Sequence, residues 1–379
     1  MSEPVIGLDF GDYNSFVCCI LDRDVETKTG GVIHDLISQG SNGGIPSVFF
    51  YSKKTGILCG EEAVGNRAKP VQNRIRYLKR HLGEPLVVDD KIMSYDFAIA
   101  EVVQHCIRRA NEQLKAWFLV SANRISLSYP AMYTLSQRQR MIEIVESATL
   151  EDGTRVKVCG TIAEPAAVAL DYLAEHAAAT EDATVLVYNM GGGSFDVTLL
   201  SAFVAGRKRT DDDLYYYDII STFGTSEASG KAFDEIMYDI ISKKFDVPID
   251  NVRYEYIFRQ LAEATKEDLS FEEQTEAWML YEDEYISVEI TRKEFELAAR
   301  ELLVKTINAT KEILNCHPDQ QPDLILLTGG ASQMPMVQRE LEAALPKFKG
   351  RIMQYRPSRA IAYGAALFGT QEAIISDMD

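Results

Sequence analysis

Two glycine turns, set far apart in the chain, are the features of this sequence that could do chemistry. The segment Ile6–Gly11 aligns with Leu186–Gly191 at an offset of 180 residues, and the second copy continues into Gly192-Gly193. Because glycine has no Cβ, the backbone N–H groups of such turns can approach phosphate oxygens closely. One such turn is typical of an ordinary hairpin. Two in a long repeat, with a further pair at Gly329-Gly330, favour a clamp on phosphate groups.

The elements that must position these turns alternate between strands and helices. We predict strands at Val5–Asp9, Ser15–Leu21, Ile45–Tyr51, Ile125–Tyr129, Thr184–Tyr188, Phe195–Leu200 and Leu324–Leu327. Apolar residues at spacings of three and four predict helices at Phe97–Leu119, Leu135–Leu150 (with Ser136 as its cap), Pro165–Glu175, Lys231–Phe245, Tyr254–Leu269 and Arg292–Leu314, with a β segment near Trp278–Ile290. This alternation predicts an α/β fold. Because 379 residues exceed the size of a single core and the opening hairpin recurs, we expect two duplicated lobes.

Composition and charge exclude several classes of function. The formal net charge of -18 would repel nucleic acid and anionic lipid, so we expect no nucleic-acid partner and no membrane partner. No run of 18 apolar residues occurs, and Met1–Pro4 lacks the features of a signal peptide. We therefore expect a cytoplasmic protein.

Other kinds of active site lack a matching pattern in the sequence. The six cysteines form no CxxC pair and are best explained as reduced, packed thiols. The five histidines lie mostly in polar or helical contexts, and no Ser/His/Asp arrangement indicates nucleophilic catalysis. The acidic run Asp211-Asp212-Asp213 is interpreted as an exposed loop between two strands and not as a metal site.

Five segments, in a fixed order, carry a resemblance to a known family. They are Asp9-Phe10-Gly11, Glu164-Pro165-Ala166-Ala167, Gly191–Asp196, Thr328-Gly329-Gly330 and Ala362-Tyr363-Gly364-Ala365-Ala366. They resemble the phosphate, connecting and adenosine segments of the nucleotide-binding domain of the DnaK-type, seventy-kilodalton heat-shock chaperones. Pro130-Ala131, the Ser136–Gln139 segment and Gly230 with Phe233-Asp234 are similar to that family as well. The resemblance spans essentially the whole chain.

The resemblance implies an actin-like ATPase fold with two duplicated ribonuclease-H-like lobes and a nucleotide cleft between them. Lobe I would span 1–175, with an inserted subdomain at about 40–96. Lobe II would span 176–379, with an inserted subdomain at about 224–298. The sequence after Ala366 shows neither the leucine-rich linker nor the β-sandwich peptide-binding domain of the family. We therefore expect no substrate-binding domain in this chain.

The resemblance also implies a ligand and a set of site residues. The expected ligands are ATP or ADP with Mg²⁺, and K⁺ is a further candidate ion. Asp9 would belong to the Mg²⁺ shell, Lys79 would contact the γ-phosphate and the attacking water, and Glu164 would orient that water or a metal ligand. Such phosphoryl transfer depends on positioning and charge neutralisation. The full set has Asp9, Lys79, Glu164 and Ser194 as catalytic residues, Asp9 and Asn189 as metal ligands, and nucleotide contacts at Gly11, Asp12, Tyr13, Gly191, Gly192, Gly193, Gly230, Glu263, Lys266, Gly329, Gly330 and Gln333.

Simpler explanations exist for the charged members of this set. Lys79 lies in a basic run with Arg74, Arg76 and Arg80, which is also the pattern of a solvated helix face. An acidic residue such as Asp9 or Glu164 could equally cap a helix.

Several positions depart from the family pattern. Asn189 stands where the family has aspartate, so one negative charge near the metal is lost and hydrolysis should be slower. Asp12 replaces a threonine beside the phosphates, and Glu267 replaces an arginine that packs on adenine. Gln333 replaces another arginine. Gly160 stands where the family has an arginine that meets J-domain co-chaperones.

Three functions are compatible with these residues. The first is an ATP/ADP-binding domain of a chaperone-like protein, in which slow Mg²⁺-dependent hydrolysis drives lobe opening and closing and co-chaperones are the expected partners. The second is a non-hydrolysing, nucleotide-sensing scaffold that binds protein partners, which Asn189, Asp12 and Glu267 favour. The third is an actin-like filament subunit, which the heat-shock-like motifs disfavour.

Overall fold

A computed structural model describes residues 4–21, 32–35, 44–176, 182–205, 214–249 and 252–376 of the chain. Its strands are β1 (Val5–Asp9), β2 (Asn14–Leu21), β3 (Val32–Asp35), β4 (Ile45–Pro46), β5 (Phe49–Ser52), β6 (Gly56–Cys59), β7 (Arg74–Ile75), β8 (Pro85–Val88), β9 (Lys91–Ser94), β10 (Arg124–Tyr129), β11 (Lys157–Ala163), β12 (Asp182–Met190), β13 (Phe195–Ala205), β14 (Leu214–Thr225), β15 (Gln274–Tyr281), β16 (Glu284–Thr291), β17 (Leu324–Thr328) and β18 (Ile352–Gln354).

The helices follow the same chain order. They are α1 (Glu61–Val64), α2 (Tyr95–Phe118), α3 (Leu135–Glu146), α4 (Glu164–His176), α5 (Gly230–Phe245), α6 (Val252–Phe271), α7 (Arg292–Cys316), α8 (Pro335–Ala344) and α9 (Ala360–Ser376). Short 3-10 helices occur at Val71–Asn73, Leu78–His81, Gly330–Gln333 and Pro346–Phe348. Within the described ranges, none of these helices is long and apolar enough to cross a membrane.

The chain divides into two compact units. Unit 1 comprises the described residues within Met1–Val187, Thr198–Thr222 and Ser358–Asp379. Unit 2 comprises Tyr188–Val197 and the described residues within Phe223–Pro357. The lobes expected at 1–175 and 176–379, and their inserted subdomains, stay predictions.

The main sheet of unit 1 has the strand order β11-β10-β1-β2-β3, and β4 pairs with β2. Strand β1 runs antiparallel to β2 and parallel to β10, and all five of its residues are buried. Helix α9 packs on β1 from one side of the sheet, and Ile6 and Leu8 share a buried cluster with residues of α2. Both faces of β1 are therefore covered, which is why its sequence is a short apolar run that does not alternate. A second sheet has the order β14-β13-β12-β17-β18.

Small residues let helix α9 pack closely against its neighbours in unit 1. A Cβ added at Gly7 on β1 would overlap the backbone of Ala362 and Ala366. A Cβ at Gly364 would overlap the backbone of Ala167 on α4. The alanine- and glycine-rich segment near residue 362 is therefore explained by close packing of a helix on a sheet and on a second helix.

Most predicted elements are present, with three corrections. The single strand predicted at Ile45–Tyr51 is two strands, β4 and β5, because Ser47-Val48 interrupts the ladder. Helix α3 ends at Glu146, four residues before the predicted end. The predicted cap Ser136 is wrong, because it lies inside the helix. Thr134 is the cap and forms a capping box with Gln137. The acidic run at 211–213 lies outside the described residues.

Candidate functional site

In unit 1, Asp9 and Ser128 meet at the carboxyl ends of two parallel strands. Strand β1 pairs with β10 in the register Leu8↔Leu127, so the next residue of each strand emerges at the same edge of the sheet. Ser128 Oγ donates a hydrogen bond of 3.3 Å to Asp9 Oδ1. Both residues are buried. The strand ends therefore place a carboxylate inside the protein, where Ser128 gives it a long hydrogen bond.

Lys79 and Glu164 form a buried ion pair in the same unit. Lys79 lies on the 3-10 helix Leu78–His81, and Glu164 is the first residue of α4, directly after β11. Lys79 Nζ is 2.8 Å from Glu164 Oε1, and the two side chains are only 11% and 10% exposed. A solvated helix face does not explain Lys79. We call Asp9, Lys79, Ser128 and Glu164 the Lys79 cluster.

The charges of this cluster act strongly on each other. Burial, reinforced by Glu164, raises the pKa of Asp9 to about 7, although Lys79 and the Ser128 hydrogen bond act to lower it. Burial would lower the pKa of the Lys79 ammonium, but the nearby carboxylates, Glu164 foremost, raise it above its ordinary value. Lys79 is therefore charged at neutral pH, while Asp9 needs more positive charge nearby to stay ionised.

A magnesium ion fits this requirement at Asp9. Mg²⁺ prefers carboxylate oxygens and keeps several waters, so one buried carboxylate beside hydroxyl and carboxylate groups is a suitable anchor. A divalent cation would supply the positive charge that Asp9 lacks.

The first hairpin turn carries three of the expected nucleotide contacts. Gly11, Asp12 and Tyr13 connect β1 to β2. Arg80 Nε donates to Asp12 Oδ2 at 3.4 Å, and the Arg76 guanidinium lies 4.7 Å from the centre of the Tyr13 ring. Asp12 Oδ1 is buried and, within the described part of the chain, has no hydrogen-bond partner. The turn therefore holds an acceptor that a ligand or water would satisfy.

In unit 2, the second glycine turn is held by the start of α5. Gly191 N donates to Ser194 O within the turn, and Gly230 N donates to Gly191 O, both at 2.9 Å. Lys231 N donates to Gly192 O at 2.9 Å. A Cβ at Gly230 would lie 3.0 Å from Gly192 Cα, so glycine permits this close approach of two backbones. Ser194 Oγ donates to Asp196 Oδ2 at 2.8 Å.

Three further expected contacts follow strand β17 in the same unit. Gly329 has φ +82°, and a Cβ there would overlap Met190 O and lie 2.7 Å from Asn189 Oδ1. Nothing lies within 4 Å of a Cβ added at Gly330, so that glycine borders open space. Gln333 Nε2 donates to Gly330 O at 3.4 Å. Gly329 is thus packed against the buried Asn189.

Helix α6 presents Glu263, Lys266 and Glu267 on one face, as spacings of three and four residues require. Lys266 Nζ pairs at 2.5 Å with Asp234 Oδ1 on α5. Burial and the charge of Glu267 raise the pKa of Glu263 to about 7, against the lowering effect of Lys266. The two residues expected to contact adenosine therefore lie next to each other, and one of them already has an acidic partner.

The structure groups the expected residues into two sets, one in each unit. Unit 1 contains Asp9, Gly11, Asp12, Tyr13, Lys79 and Glu164. Unit 2 contains Asn189, Gly191, Gly192, Gly193, Ser194, Gly230, Glu263, Lys266, Gly329, Gly330 and Gln333. The sequence interpretation missed Ser128, Tyr133 and Asp234. Ser128 had a signal, since it lies near the end of a predicted strand. Asp234 belongs to a matched segment, whereas Tyr133 lies between two matched segments and had no signal.

Comparison with known proteins identifies the family. The model of the Hsp70 protein family matches residues 5–376, so this chain belongs to the Hsp70 family. Its mixed α/β architecture is that of the actin-like ATPase fold, as predicted.

Curated relatives agree with this assignment. The chain is 27% identical over 391 aligned residues to the chaperone protein DnaK of Thermotoga petrophila, and equally so to that of Thermotoga neapolitana. Each alignment covers 99% of this chain and 60% of the relative. The chain therefore spans about 60% of the length of these curated relatives.

Proposed function

We propose that this chain binds ATP and ADP with Mg²⁺ and hydrolyses ATP slowly, and that the nucleotide state drives opening and closing of the lobes expected at 1–175 and 176–379. Membership of the Hsp70 family and similarity to DnaK support a chaperone-like ATP-binding domain. The observation that carries the proposal is the buried Lys79–Glu164 ion pair beside Asp9.

In this proposal, Lys79, Glu164 and Asp9 each have a distinct task. The Lys79 ammonium stabilises negative charge on the terminal phosphate, because charge-assisted contacts are strong where water is excluded. Glu164 holds that ammonium in place and orients the attacking water. Asp9 would hold Mg²⁺, which supplies charge neutralisation of the phosphates when it is bound.

The residues of unit 2 bind the rest of the nucleotide in this proposal. The Gly191–Gly193 turn lies against the phosphate oxygens, because glycines without a Cβ let the backbone approach them closely. Glu263 and Lys266 contact the adenosine, and Gly329, Gly330 and Gln333 lie beside it. Ser194 and Asn189 complete the phosphate side. Neutral Asn189 adds no charge for a metal, which is why we expect slow hydrolysis.

Calorimetric titration tests the proposed site. We expect Mg²⁺-dependent binding of ATP and ADP with a Kd of roughly micromolar or below, which is about -8 kcal/mol. Gly192→Asp should abolish it, because a carboxylate in the turn repels phosphate. Gln320→Asp is the charge-matched control, since it adds the same negative charge to unit 2 at an exposed turn residue. Equal binding by both variants would contradict the assigned phosphate turn.

A non-hydrolysing nucleotide sensor is the second candidate function. Neutral Asn189 and the acidic Asp12 and Glu267 favour it, because they remove or oppose the charges that hydrolysis requires. Single-turnover hydrolysis of ATP separates the two candidates. Turnover by the wild type, accelerated in Asn189→Asp, supports the ATPase. Tight ATP binding with no hydrolysis in the wild type supports the sensor.

Partners and location remain proposals as well. A J-domain co-chaperone, a peptide-binding domain and a cytoplasmic location are proposed from the family. Gly160, at the position where the family arginine is expected, lies on β11 with Gly369 and Ser126 3.4 Å from its Cβ position. A pull-down with a J-domain, comparing wild type with Gly160→Arg, tests the co-chaperone. Stronger binding by the variant is expected.

A further inference from the structure

The Tyr133 side chain ends in a buried hydroxyl that the nucleotide chemistry above does not use. Its oxygen has essentially no solvent-accessible surface and no hydrogen-bond partner among the described residues. Its backbone is held on both sides, since Tyr133 N donates to Pro130 O at 2.9 Å and Tyr133 O accepts from Arg138 Nε at 3.2 Å. Buried hydroxyls in native proteins are nearly always hydrogen-bonded. A buried donor that no described residue satisfies is therefore open to a ligand or a bound water.

The surroundings of this hydroxyl indicate the chemistry of that ligand. Tyr133 lies close enough to Lys79, Glu164 and Asp12 for their charges to act on its phenol. Burial is the main cause that raises its pKa, so the phenol keeps its proton and remains a donor. A ligand beside it must therefore accept a hydrogen bond and pair with the lysine ammonium, and a Mg²⁺ ion bound with it would offset the negative charges of Glu164 and Asp12. An anionic oxygen meets both requirements.

Asp12 gives a further indication of the chemistry of this ligand. Its Oδ1 is a buried acceptor without a partner in the described ranges, and it is not bonded to the equally unpartnered Tyr133 hydroxyl. A donor and an acceptor left open near each other fit a hydrated phosphate, because the phosphate accepts from the phenol and a bound water donates to the carboxylate.

We propose that the Tyr133 hydroxyl donates a hydrogen bond to the terminal phosphate of a bound nucleoside triphosphate, beside Lys79. This inference rests on the proposed nucleotide site and deepens it, because it assigns a residue that distinguishes ATP from ADP. Tyr133 would contact the terminal phosphate and no other phosphate of the nucleotide. Its removal should therefore change affinity for the triphosphate alone.

The test compares Tyr133→Phe with wild type by calorimetric titration of ATP and of ADP, both with Mg²⁺. Loss of one hydrogen bond to a charged phosphate should weaken ATP binding by about five- to tenfold. ADP binding should change by less than about twofold. Tyr51→Phe is the matched control, since it removes the hydroxyl of another half-buried tyrosine in unit 1. It should change neither affinity.

Thermal unfolding without nucleotide separates this role from a structural one. Removing an unpartnered buried hydroxyl should leave the Tm unchanged or raise it, because the folded state no longer contains an unsatisfied donor. A lower Tm for Tyr133→Phe, or an equal loss of ATP and ADP affinity, overturns the inference. Wild-type ATP affinity in Tyr133→Phe also overturns it while leaving the nucleotide site intact. Absence of ATP binding in the wild type overturns both proposals.

Discussion

Removing Lys79 should destabilise the nucleotide-free protein more than removing its partner Glu164. Lys79→Met removes the ammonium that lies 2.8 Å from Glu164 and that lowers the pKa of Asp9. Both buried carboxylates then lose the positive charge of Lys79. Breaking a buried ion pair in this way costs about 3–5 kcal/mol. Glu164→Gln leaves the ammonium near the Asp9 and Asp12 carboxylates and removes a charge that raises the pKa of Asp9. We therefore expect a smaller cost, about 1–2 kcal/mol, similar to that of a lost charged hydrogen bond.

Urea unfolding at pH 7.5 measures this asymmetry. Trp117 lies in unit 1 and Trp278 in unit 2, so a Trp278→Phe background leaves Trp117 fluorescence as the reporter of unit 1. Lys53→Met is the control for loss of a lysine. Its pair with Asp90 is highly exposed, so we expect no measurable change. A larger loss for Glu164→Gln than for Lys79→Met would refute the electrostatic reasoning.

Three further predictions test local features of the structure. Glu263→Gln should be more stable than wild type above about pH 7. Burial raises the pKa of the Glu263 carboxyl from 4.5 to about 7. Ionisation of this buried group as the pH rises between these values lowers the wild-type free energy of unfolding by up to about 3 kcal/mol. Thermal unfolding from pH 4.5 to 9 should show the two proteins converging at low pH, and parallel curves would contradict this. Thr134→Ala should lower the free energy of unfolding by about 1 kcal/mol and Ser136→Ala by much less, because Thr134 is the cap of α3. The reverse order in urea unfolding would indicate that Ser136 is the cap. Gly329→Ala should cost more than about 2 kcal/mol through its overlap with Met190 and its positive φ, whereas Gly330→Ala should cost less than about 1 kcal/mol; equal losses would argue against the close approach.

The parts of the fold that could be predicted from the sequence are those that local patterns determine. The apolar run Val5–Asp9 is a strand with the predicted bounds, because a central strand buries every side chain. Helix α7 begins at the predicted residue, Arg292, where Thr291 caps it. The cap of α3 was placed wrongly, because a cap residue is extended and shows no helical periodicity.

The candidate site was harder to predict from local sequence patterns than the fold was. The glycine turns are visible as a repeat, since their chemistry lies in the backbone. The Lys79–Glu164 pair joins residues 85 positions apart, and no periodicity encodes that distance. The partner of Lys266 is Asp234 on another helix, which depends on how α5 and α6 pack. The Tyr133 hydroxyl is notable only because it is buried without a partner among the described residues, which requires coordinates to detect.

Equilibrium titration of the wild-type chain with ATP, with Mg²⁺ and then with excess chelator, tests the central claim most directly. The account predicts a single site with a Kd of roughly micromolar or below in Mg²⁺, weakened by at least about tenfold when the metal is removed. It also predicts a higher Tm in the presence of Mg²⁺ and ATP. No heat of binding and no shift in Tm with either ATP or ADP would contradict the account. The Lys79–Glu164 ion pair would then have a structural role alone.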